Sequence, residues 1–359
     1  MNIFRVIFVS MILALSTGIG IANAQSDDEC IDATGNGVVV CGPFSELWNL
    51  NGGEALFGAP LSDQFSETQY AADLTIDTQY FERYRVEHHP EAAGTPYEMQ
   101  LGRLGAEVLE TQGINWHESA KSDPSETNYM DATGFAIAPE FMDYWTGNGL
   151  ELGDDGTSFR ESLALFGYPI SQAQESNGMG ETVLVQWFER ARLELHNGTI
   201  VQASLGAELL GIPGIHDPVM ASTLAQLQRS VAPYSTVEDA EAAGWVLIEG
   251  LDHCFDNPGV GAMGYHYINP DMLDTSLNPI LPEALVFQAD SEGNLTLGAV
   301  EWIVPADAWD EESPDALPEV FGHPLHLNED LGVYVLHAWI FLDNPLGTLE
   351  DWNPDVTCS

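Results

Sequence analysis

Two segments of the chain carry the same four sequence blocks in the same order, and this repeat limits the possible folds more than any other feature. The first copy has its blocks at 44–48, 56–62, 79–87 and 104–109, and the second has them at 141–145, 165–171, 186–194 and 205–210. The closing blocks are nearly identical, Leu-Gly-Ala-Glu-Val-Leu and Leu-Gly-Ala-Glu-Leu-Leu. Self-similarity of this kind indicates one supersecondary unit that is built twice.

Each copy is predicted to contain a short helix, a turn, a strand or hairpin, and a closing helix. Phe44 and Trp48 stand four residues apart, as do Phe141 and Trp145, so each pair lies on one face of the opening helix. An Asn-Gly pair follows each of these helices and favours its end. The Gly-x-Pro of the next block predicts a turn.

The third block of each copy alternates in residue type and predicts a strand. In the first copy, one face would carry Tyr80, Glu82, Tyr84 and Val86, and the other face Phe81, Arg83, Arg85, Glu87 and His89. In the second copy, the corresponding faces would carry Trp187, Glu189, Ala191, Leu193 and Leu195, and Phe188, Arg190, Arg192, Glu194 and His196. We therefore expect the two arginine pairs to occupy equivalent positions.

The four arginines of these strands, Arg83, Arg85, Arg190 and Arg192, have two possible roles. They are a large share of the chain's nine basic residues. In the structural interpretation, each one pairs with a nearby acid and braces its strand. In the functional interpretation, they form a basic and aromatic face that binds a sugar, a carboxylate or a peptide, because arginine binds oxyanions through two parallel hydrogen bonds.

The repeat resembles the LGFP type found in secreted and cell-wall-associated bacterial proteins. The shared features are an aromatic-Trp helix, a Gly-x-Pro after Leu-Phe, and a strand that begins Gln-aromatic-Phe, over residues 43–112 and 139–213. The Glu-Arg-x-Arg part of the strand does not belong to that pattern. The resemblance implies attachment to a cell-envelope polysaccharide or peptide rather than catalysis.

The N-terminus has the pattern of a secretory signal peptide. Arg5 precedes an apolar run over 6–22, and the run ends in Ala22-Asn23-Ala24, a small-residue cleavage signal. We expect residues 1–24 to be removed before Gln25, which would place the mature protein outside the cell or in the periplasm. A membrane anchor is the alternative interpretation, although the run is short for a span. No later segment is apolar enough to cross a bilayer.

The charge of the chain argues against anionic partners. The formal net charge is −47, with 56 acidic residues against nine Lys and Arg. A surface this negative repels nucleic acids and anionic lipids. We therefore expect neither nucleic acid nor an anionic membrane as a partner. We interpret the negative charge as an adaptation for solubility in salty surroundings, and the alternative is a dedicated cation-binding surface.

The four cysteines are expected to form disulfides, because an even number of cysteines in an exported protein usually does so. Three pairings are possible for four cysteines. We expect Cys30–Cys41 and Cys254–Cys358, since each pair then stays within one predicted domain. A metal–thiolate site is the weaker alternative, because no pair has the close spacing of zinc ligands.

The predicted domains after the signal peptide are an N-terminal segment with the first copy (25–131), the second copy (132–228) and a C-terminal domain (229–359). No Lys or Arg follows Arg229. A helix opened by a capping box at 235–238 is expected to end at Gly244. Strands are expected near 245–249, 263–268, 284–288, 295–304 and 333–342, with a long loop over 305–331. The fold class is therefore α+β with a mainly antiparallel sheet.

The C-terminal domain contains the candidate metal ligands. His266, Glu301 and His337 each stand in the middle of a predicted strand among apolar neighbours, where an ionisable group needs a partner or an ion. Together they form a two-His-one-carboxylate set for a divalent transition metal. His323 is a further candidate ligand from the loop, as is His326. The alternative is an ion pair between Glu301 and a protonated histidine.

The C-terminal domain also resembles a family of secreted bacterial domains of unknown function. The matching segments are Met-Gly-Tyr-His-Tyr-Ile-Asn-Pro at 263–270, Gly-Ala-Val-Glu-Trp at 298–302, His-Ala-Trp-Ile-Phe-Leu-Asp-Asn-Pro at 337–345 and Trp-Asn-Pro at 352–354. The resemblance implies common descent and carries no ligand or activity.

These observations favour a secreted, envelope-associated binding protein. The alternative is a metal-dependent enzyme centred on His266, Glu301 and His337. A third interpretation makes the repeats simple spacers. The sequence contains no P-loop, nucleophile elbow or dinucleotide-binding glycine pattern.

Overall fold

The computed structural model describes residues 30–358, apart from 33, 36, 179, 180, 291 and 292. The predicted signal peptide, residues 1–24, lies outside the described residues. The helices are α1 Gly42–Leu50, α2 Glu54–Phe57, α3 Leu104–Thr111, α4 Pro139–Gly147, α5 Phe159–Phe166, α6 Leu205–Leu210, α7 Pro218–Val231, α8 Val237–Ala242 and α9 Ala306–Glu312.

The strands are mostly short. They are β1 Phe65–Gln69, β2 Leu74–Tyr80, β3 Arg85–His88, β4 Met99–Leu101, β5 Tyr129–Met130, β6 Phe135–Ala136, β7 Gln174–Gly178, β8 Glu181–Trp187, β9 Arg192–His196, β10 Thr199–Gln202, β11 Phe255–Asn257, β12 Gly261–Ile268, β13 Ala284–Ala289, β14 Leu295–Pro305, β15 Glu319–Val320, β16 His323–Pro324, β17 His326–Asn328 and β18 Val333–Ala338. All the pairings between these strands are antiparallel. The predicted fold class, α+β with mainly antiparallel sheets, is confirmed.

The two copies of the repeat have the same architecture. Each has two opening helices, a four-stranded antiparallel sheet in sequential order, and a closing helix. The strand or hairpin expected from the sequence is thus a full four-stranded sheet. The third block places Arg85 opposite Tyr80 and Arg192 opposite Trp187, so these two arginines occupy equivalent positions.

Of the two forms predicted for this part of the repeat, a strand or a hairpin, the third block takes the hairpin form. The chain turns at residues 81–84, between β2 and β3, because the Phe81 N–H donates to the Tyr84 carbonyl at 2.8 Å and the Arg83 N–H donates to Phe57. Residues 188–191 make the same turn in the second copy. The predicted sharing of faces across this block therefore fails, because each side of the turn belongs to a different strand.

The two copies pack on each other reciprocally. The Ala106 N–H at the start of α3 donates to Glu189 in the turn of the second copy, and the Ala207 N–H of α6 donates to Glu82 in the turn of the first. A Cβ atom on Gly105 would lie 1.9 Å from the Phe188 carbonyl oxygen. Only glycine therefore allows the closing helix to approach the turn this closely.

The C-terminal domain is built on a six-stranded sheet in the order β11-β12-β13-β14-β18-β17. One face of this sheet, with Tyr267, Trp302 and Leu336, packs into the core that also contains Leu224 and Val231 of α7. Helix α7 crosses position 228/229, where the sequence places the domain boundary, and its Gln226 side chain donates to the Thr68 carbonyl of the first copy. The helix therefore joins the repeats to the C-terminal domain.

Three local predictions for the C-terminal domain need correction. Residues 245–249 form a single bridge, Val246 to Ile268, and no strand. Helix α8 is capped by Thr236, whose hydroxyl accepts the Asp239 N–H, so the cap lies one residue later than expected. Helix α9 occupies part of the segment that was expected to be a loop.

The structure pairs the cysteines as the sequence predicts. Cys30 is bonded to Cys41, and Cys254 is bonded to Cys358 across 104 residues. Disulfides are typical of proteins in oxidising compartments. Among the described residues, no helix has both the length and the apolarity needed to cross a membrane.

Candidate metal centre

Three strands of the C-terminal sheet each contribute one ionisable side chain to the same face. His266 lies on β12, Glu301 on β14 and His337 on β18. Glu301 stands directly opposite His337 in the β14–β18 register. Because side chains alternate along a strand, their neighbours Tyr267, Trp302 and Leu336 point into the core on the other face. The prediction that the three side chains share one face is confirmed.

The sheet must curve for these side chains to meet. His266 and His337 belong to strands separated by β13 and β14, so three interstrand steps, about 14 Å, divide their backbones. Their Nε2 atoms are nevertheless 3.1 Å apart. On this face β13 presents Ala284 and Val286, opposite Ile268 and His266 respectively. Small side chains on the intervening strand leave room for the imidazole rings above them.

The ligand atoms of the three residues form a compact group. Nε2 of His266 lies 3.6 Å from one oxygen of Glu301, and Nε2 of His337 lies 3.6 Å from the other. The side chains are between 1% and 8% exposed, so water contributes little to their solvation. Two nitrogens held at about 2.0–2.1 Å by one tetrahedral ion stand roughly 3.3 Å apart, close to the separation of the two rings.

Asp351 contacts the far side of His337. Its Oδ1 atom lies 3.2 Å from Nδ1 of His337, and its Oδ2 atom lies 3.1 Å from Nε2 of His326. A carboxylate on Nδ1 fixes the ring so that Nε2 carries the lone pair, which is the arrangement found around metal-bound histidines. Asp351 thus orients His337 towards Glu301 and His266.

The two rings have opposite electrostatic surroundings. Burial, together with the neighbouring His337, lowers the pKa of His266 to about 3, so its ring is neutral at physiological pH. Burial also lowers the pKa of His337, but the Glu301 and Asp351 carboxylates outweigh that effect and raise it. His337 is therefore the first of the two rings to become protonated as pH falls.

The two carboxyl groups also differ. Burial raises the pKa of Glu301 to about 7, and the nearby Asp351 adds to the rise. Burial raises the pKa of Asp351 as well, but its hydrogen bond to His337 and the charge of that ring lower it overall. Asp351 is thus the stable anion of the group, whereas Glu301 is only partly ionised near neutral pH unless a cation lies beside it.

A cavity of about 300 Å³ opens beside these residues. Its polar end contains His266, Glu301, His337, His326 and Asp351. Most of the remaining wall is apolar and comes from the same sheet face and the segments that cover it: Ile248, Leu251, Phe255, Ile268, Leu273, Ile303, Leu331, Val333 and Val335. The ionisable group therefore lies at one end of an apolar chamber.

Of the loop histidines, His323 does not join the group. It lies on β16, is exposed, and is paired with Val320 of β15. His326 lies closer, since it lines the cavity and contacts Asp351. Asp351 could not be singled out from the sequence, because nothing distinguishes it there from the other acids of a chain with 56 of them.

No family model, curated protein or solved structure matches this chain. The functional conclusion therefore depends on the geometry of the molecule.

The repeat arginines have mainly structural contacts. Arg85 is buried and paired with Glu87 at 2.6 Å and Glu107 at 2.7 Å. Arg192 makes the corresponding pairs with Glu194 and Glu208. These contacts favour the bracing role, because a ligand would have to displace carboxylates that already hold the guanidinium groups.

The other two arginines differ from each other. Arg83 donates to the carbonyls of Glu54, Ala55 and Leu56 and so closes the end of α2. Arg190, its counterpart in the turn of the second copy, instead donates from Nε to Leu101 of the first copy at 3.0 Å. The predicted equivalence thus holds for the backbone turn, whereas these two side chains have different partners.

Proposed function

We propose that the C-terminal domain binds one divalent transition metal through Nε2 of His266, Nε2 of His337 and the carboxylate of Glu301. The observation that carries the proposal is the convergence of these three buried ligand groups, together with the contact between Asp351 and Nδ1 of His337. Two imidazoles and one carboxylate are a common ligand set for Zn²⁺ and Fe²⁺. Asp351 supports the set in the way that outer carboxylates support other metal-binding histidines.

Charge balance favours an ion at this place. Glu301 and Asp351 are two acids beside two histidines in a domain with no Lys or Arg after Arg229. A dication neutralises both carboxylates while both rings remain neutral. Without an ion, the same buried group needs protons on His337 or Glu301 to limit the cost of buried charge.

Three protein ligands leave coordination positions for water or for a ligand. The apolar cavity lies beside these positions. We therefore infer that the function is metal-dependent binding of a small ligand with a polar head on the ion and an apolar body against residues such as Leu251, Ile303 and Val335. Such a ligand fits the size of the cavity, which matches the lower end of known small-molecule sites.

We propose that the protein carries out this function outside the cytoplasm. The signal-peptide pattern of residues 1–24 and the two disulfides support export. The resemblance to LGFP repeats supports attachment to the cell envelope. The repeats would then hold the metal-binding domain at the cell surface.

The test is calorimetric titration of chelator-treated protein with Zn²⁺. We expect one ion per chain for the wild type, and a loss of that binding in Glu301→Gln and in His337→Gln. The control is His323→Gln, which changes an exposed histidine outside the group and should bind as the wild type does. Circular dichroism verifies that each variant folds. Equal binding by folded Glu301→Gln and wild-type protein would refute the proposed site.

A further inference from the structure

A second cavity, of about 400 Å³, lies between the two copies of the repeat. Residues around β4 and Arg103 of the first copy form one wall, and α5 and the turn at Glu189 and Arg190 of the second copy form the other. Arg103, Arg160 and Arg190 all line it, and they are a third of the nine basic residues of a chain with net charge −47. This concentration of positive charge runs against the composition of the whole protein.

Only part of the hydrogen-bonding capacity of Arg190 is used. Its side chain is 20% exposed, and its Nε donates to Leu101. Its closest carboxylate, Glu189, is 3.9 Å from Nη1, beyond hydrogen-bond distance. Among the described residues, neither Nη atom of Arg190 has a hydrogen-bond partner. Burial lowers the pKa of Arg190, and Glu189 only partly opposes the effect. A largely buried guanidinium with free donors is a site for an oxyanion.

The other two arginines add charge at the rim. Arg103 pairs with Glu189 at 3.1 Å, and Arg160 pairs with Asp154 at 2.8 Å. Glu87, the other carboxylate that acts on Arg190, is held by Arg85 at 2.6 Å. Within the described part of the chain, Arg190 is therefore the one guanidinium of the three without a carboxylate at hydrogen-bond distance, and a single free guanidinium matches a monoanion better than a dianion such as phosphate.

Apart from Gln100 and Glu189, the rest of the lining is apolar and aromatic. Leu101, Leu150, Leu152 and Leu163 provide aliphatic surface, and Tyr97 and Tyr168 flank it. A ligand here needs an apolar body as well as an anionic group. A bare inorganic anion would leave this surface without contact.

The first copy offers a comparison within the same molecule. Arg83 is the counterpart of Arg190, but its Nη1 atom donates to three carbonyls of α2, whereas neither Nη atom of Arg190 has a partner among the described residues. Ser204 stands where the first copy has Arg103, and the four-residue α2 lacks the first turn of α5 that carries Arg160. The three arginines thus occur together at only one of the two equivalent interfaces between the copies.

We infer that the cavity between the repeats binds a small monocarboxylate with an aromatic or aliphatic body, with the carboxylate on Arg190 and with Arg103 and Arg160 at its rim. This site is separate from the metal centre in residues and in chemistry. Its ligand needs no metal.

The test is titration of the full chain with phenylacetate and hexanoate by calorimetry, in the presence of a chelator. Phenylacetamide, which keeps the shape and lacks the charge, and inorganic phosphate are the comparison compounds. We expect saturable binding of the carboxylates with a dissociation constant of about 1 mM or lower, and no binding of the amide or of phosphate. Arg190→Gln should weaken binding by about tenfold or more, the loss expected for one charge-assisted hydrogen bond.

Arg83→Gln is the matched control and should leave carboxylate binding unchanged. Arg160→Gln changes a partly exposed side chain and should also weaken binding, so it decides the question if Arg190→Gln fails to fold. The inference is wrong if neither carboxylate binds saturably, if the folded Arg190→Gln variant binds as the wild type does, or if phosphate binds equally well. Because a chelator is present throughout, these outcomes do not depend on the metal centre.

Discussion

Nε2 of His266 lies 3.1 Å from Nε2 of His337, although two strands, β13 and β14, lie between β12 and β18 in the sheet. A neutral imidazole has one donor and one acceptor nitrogen. Asp351 accepts a hydrogen bond from Nδ1 of His337, so Nε2 of the neutral His337 ring is an acceptor. When His266 is also neutral, the two Nε2 atoms share either one proton or one ion. These two states of the site differ in how the stability of the protein depends on pH and on Zn²⁺.

The first prediction concerns pH. Without an ion, the folded pKa of His337 lies above its unfolded value of about 6.5, and that of Glu301, about 7, lies above its ordinary 4.5. Groups with raised pKa values stabilise the fold at low pH and lose that effect as pH rises. The contribution of Glu301 is lost between about pH 4.5 and 7, and that of His337 is lost as pH rises above about 6.5. His266, with a folded pKa of about 3, has the opposite effect between about pH 3 and 6.5, so chelator-treated protein should show a net loss of thermal stability as pH rises above about 6.5.

Bound Zn²⁺ reverses that trend. The ion competes with protons for His337 and Glu301, so its affinity and the stability it adds should rise with pH and weaken as pH falls through about 7. Thermal unfolding from pH 5 to 8, with Zn²⁺ and with chelator, gives both curves. If thermal stability falls with rising pH in the same way with Zn²⁺ and with chelator, the metal site is ruled out and the Glu301–histidine ion pair remains as the explanation.

The second prediction concerns Asp351. Asp351→Asn keeps the shape of the side chain but removes its negative charge, which weakens the hydrogen bond to Nδ1 of His337. We expect Zn²⁺ affinity to fall by about 10- to 100-fold with little change in fold. Glu350→Gln, in the adjacent exposed position, is the control and should bind Zn²⁺ normally. Equal affinities for the two variants would show that Asp351 does not support the site.

Much of the metal centre could be predicted from the sequence, because alternation in a strand fixes which side chains share a face. His266, Glu301 and His337 each stand between apolar residues, and that pattern placed them together correctly. Asp351 could not be found in this way, since it lies in an irregular segment whose path depends on tertiary packing. His323 was predicted as a further ligand from the loop, as was His326, yet it pairs with Val320 on β15 and is exposed.

The repeat shows a different limit. The similarity of the two copies predicted that they would fold alike, and their sheets have the same order. The alternation of the third block nevertheless predicted that its side chains share two faces, whereas the chain turns within it. The turn at 81–84 is held by backbone hydrogen bonds to Phe57 and Ala59, which lie more than 20 positions earlier in the sequence. A local pattern does not contain such contacts.

The third prediction concerns Glu107, which binds both Arg85 and Arg229 and so connects the first copy to α7. Burial raises the pKa of Glu107, but the two arginines outweigh it and lower the value to about 2. Glu107→Gln should therefore reduce the free energy of unfolding by roughly 3 kcal/mol at pH 7. Glu208→Gln, the equivalent change beside the more exposed pair with Arg192, should cost less than about 1 kcal/mol.

The sign of the acid dependence follows from the same shift. A lowered folded pKa stabilises the protein above the unfolded value near 4.5, and the effect is lost as pH falls towards about 2. Urea unfolding at pH 7 and at pH 3 should show the difference between wild type and Glu107→Gln shrinking at the lower pH. If the difference in unfolding free energy between wild type and Glu107→Gln is the same at both pH values, the charge of Glu107 is not what stabilises the protein.

The fourth prediction concerns the contact between the repeats. A Cβ on Gly105 would lie 1.9 Å from the Phe188 carbonyl, and one on Gly206 would lie 2.0 Å from the Phe81 carbonyl. Each Gly→Ala change should destabilise the protein by about 1–3 kcal/mol or more, because the backbones must separate. Gly147→Ala, where no atom lies within 4 Å, should be neutral or slightly stabilising in denaturant unfolding. Near-wild-type stability of Gly105→Ala would contradict the reciprocal packing.

The most direct test of the metal centre is X-ray absorption at the zinc edge of protein loaded with one equivalent of Zn²⁺. We predict a first shell of nitrogen and oxygen at about 2.0–2.1 Å, with the multiple scattering of two imidazole rings. His266→Ala should remove the contribution of one ring. A shell made only of oxygen, or an unchanged spectrum in His266→Ala, would contradict the assignment of the ion to His266, Glu301 and His337.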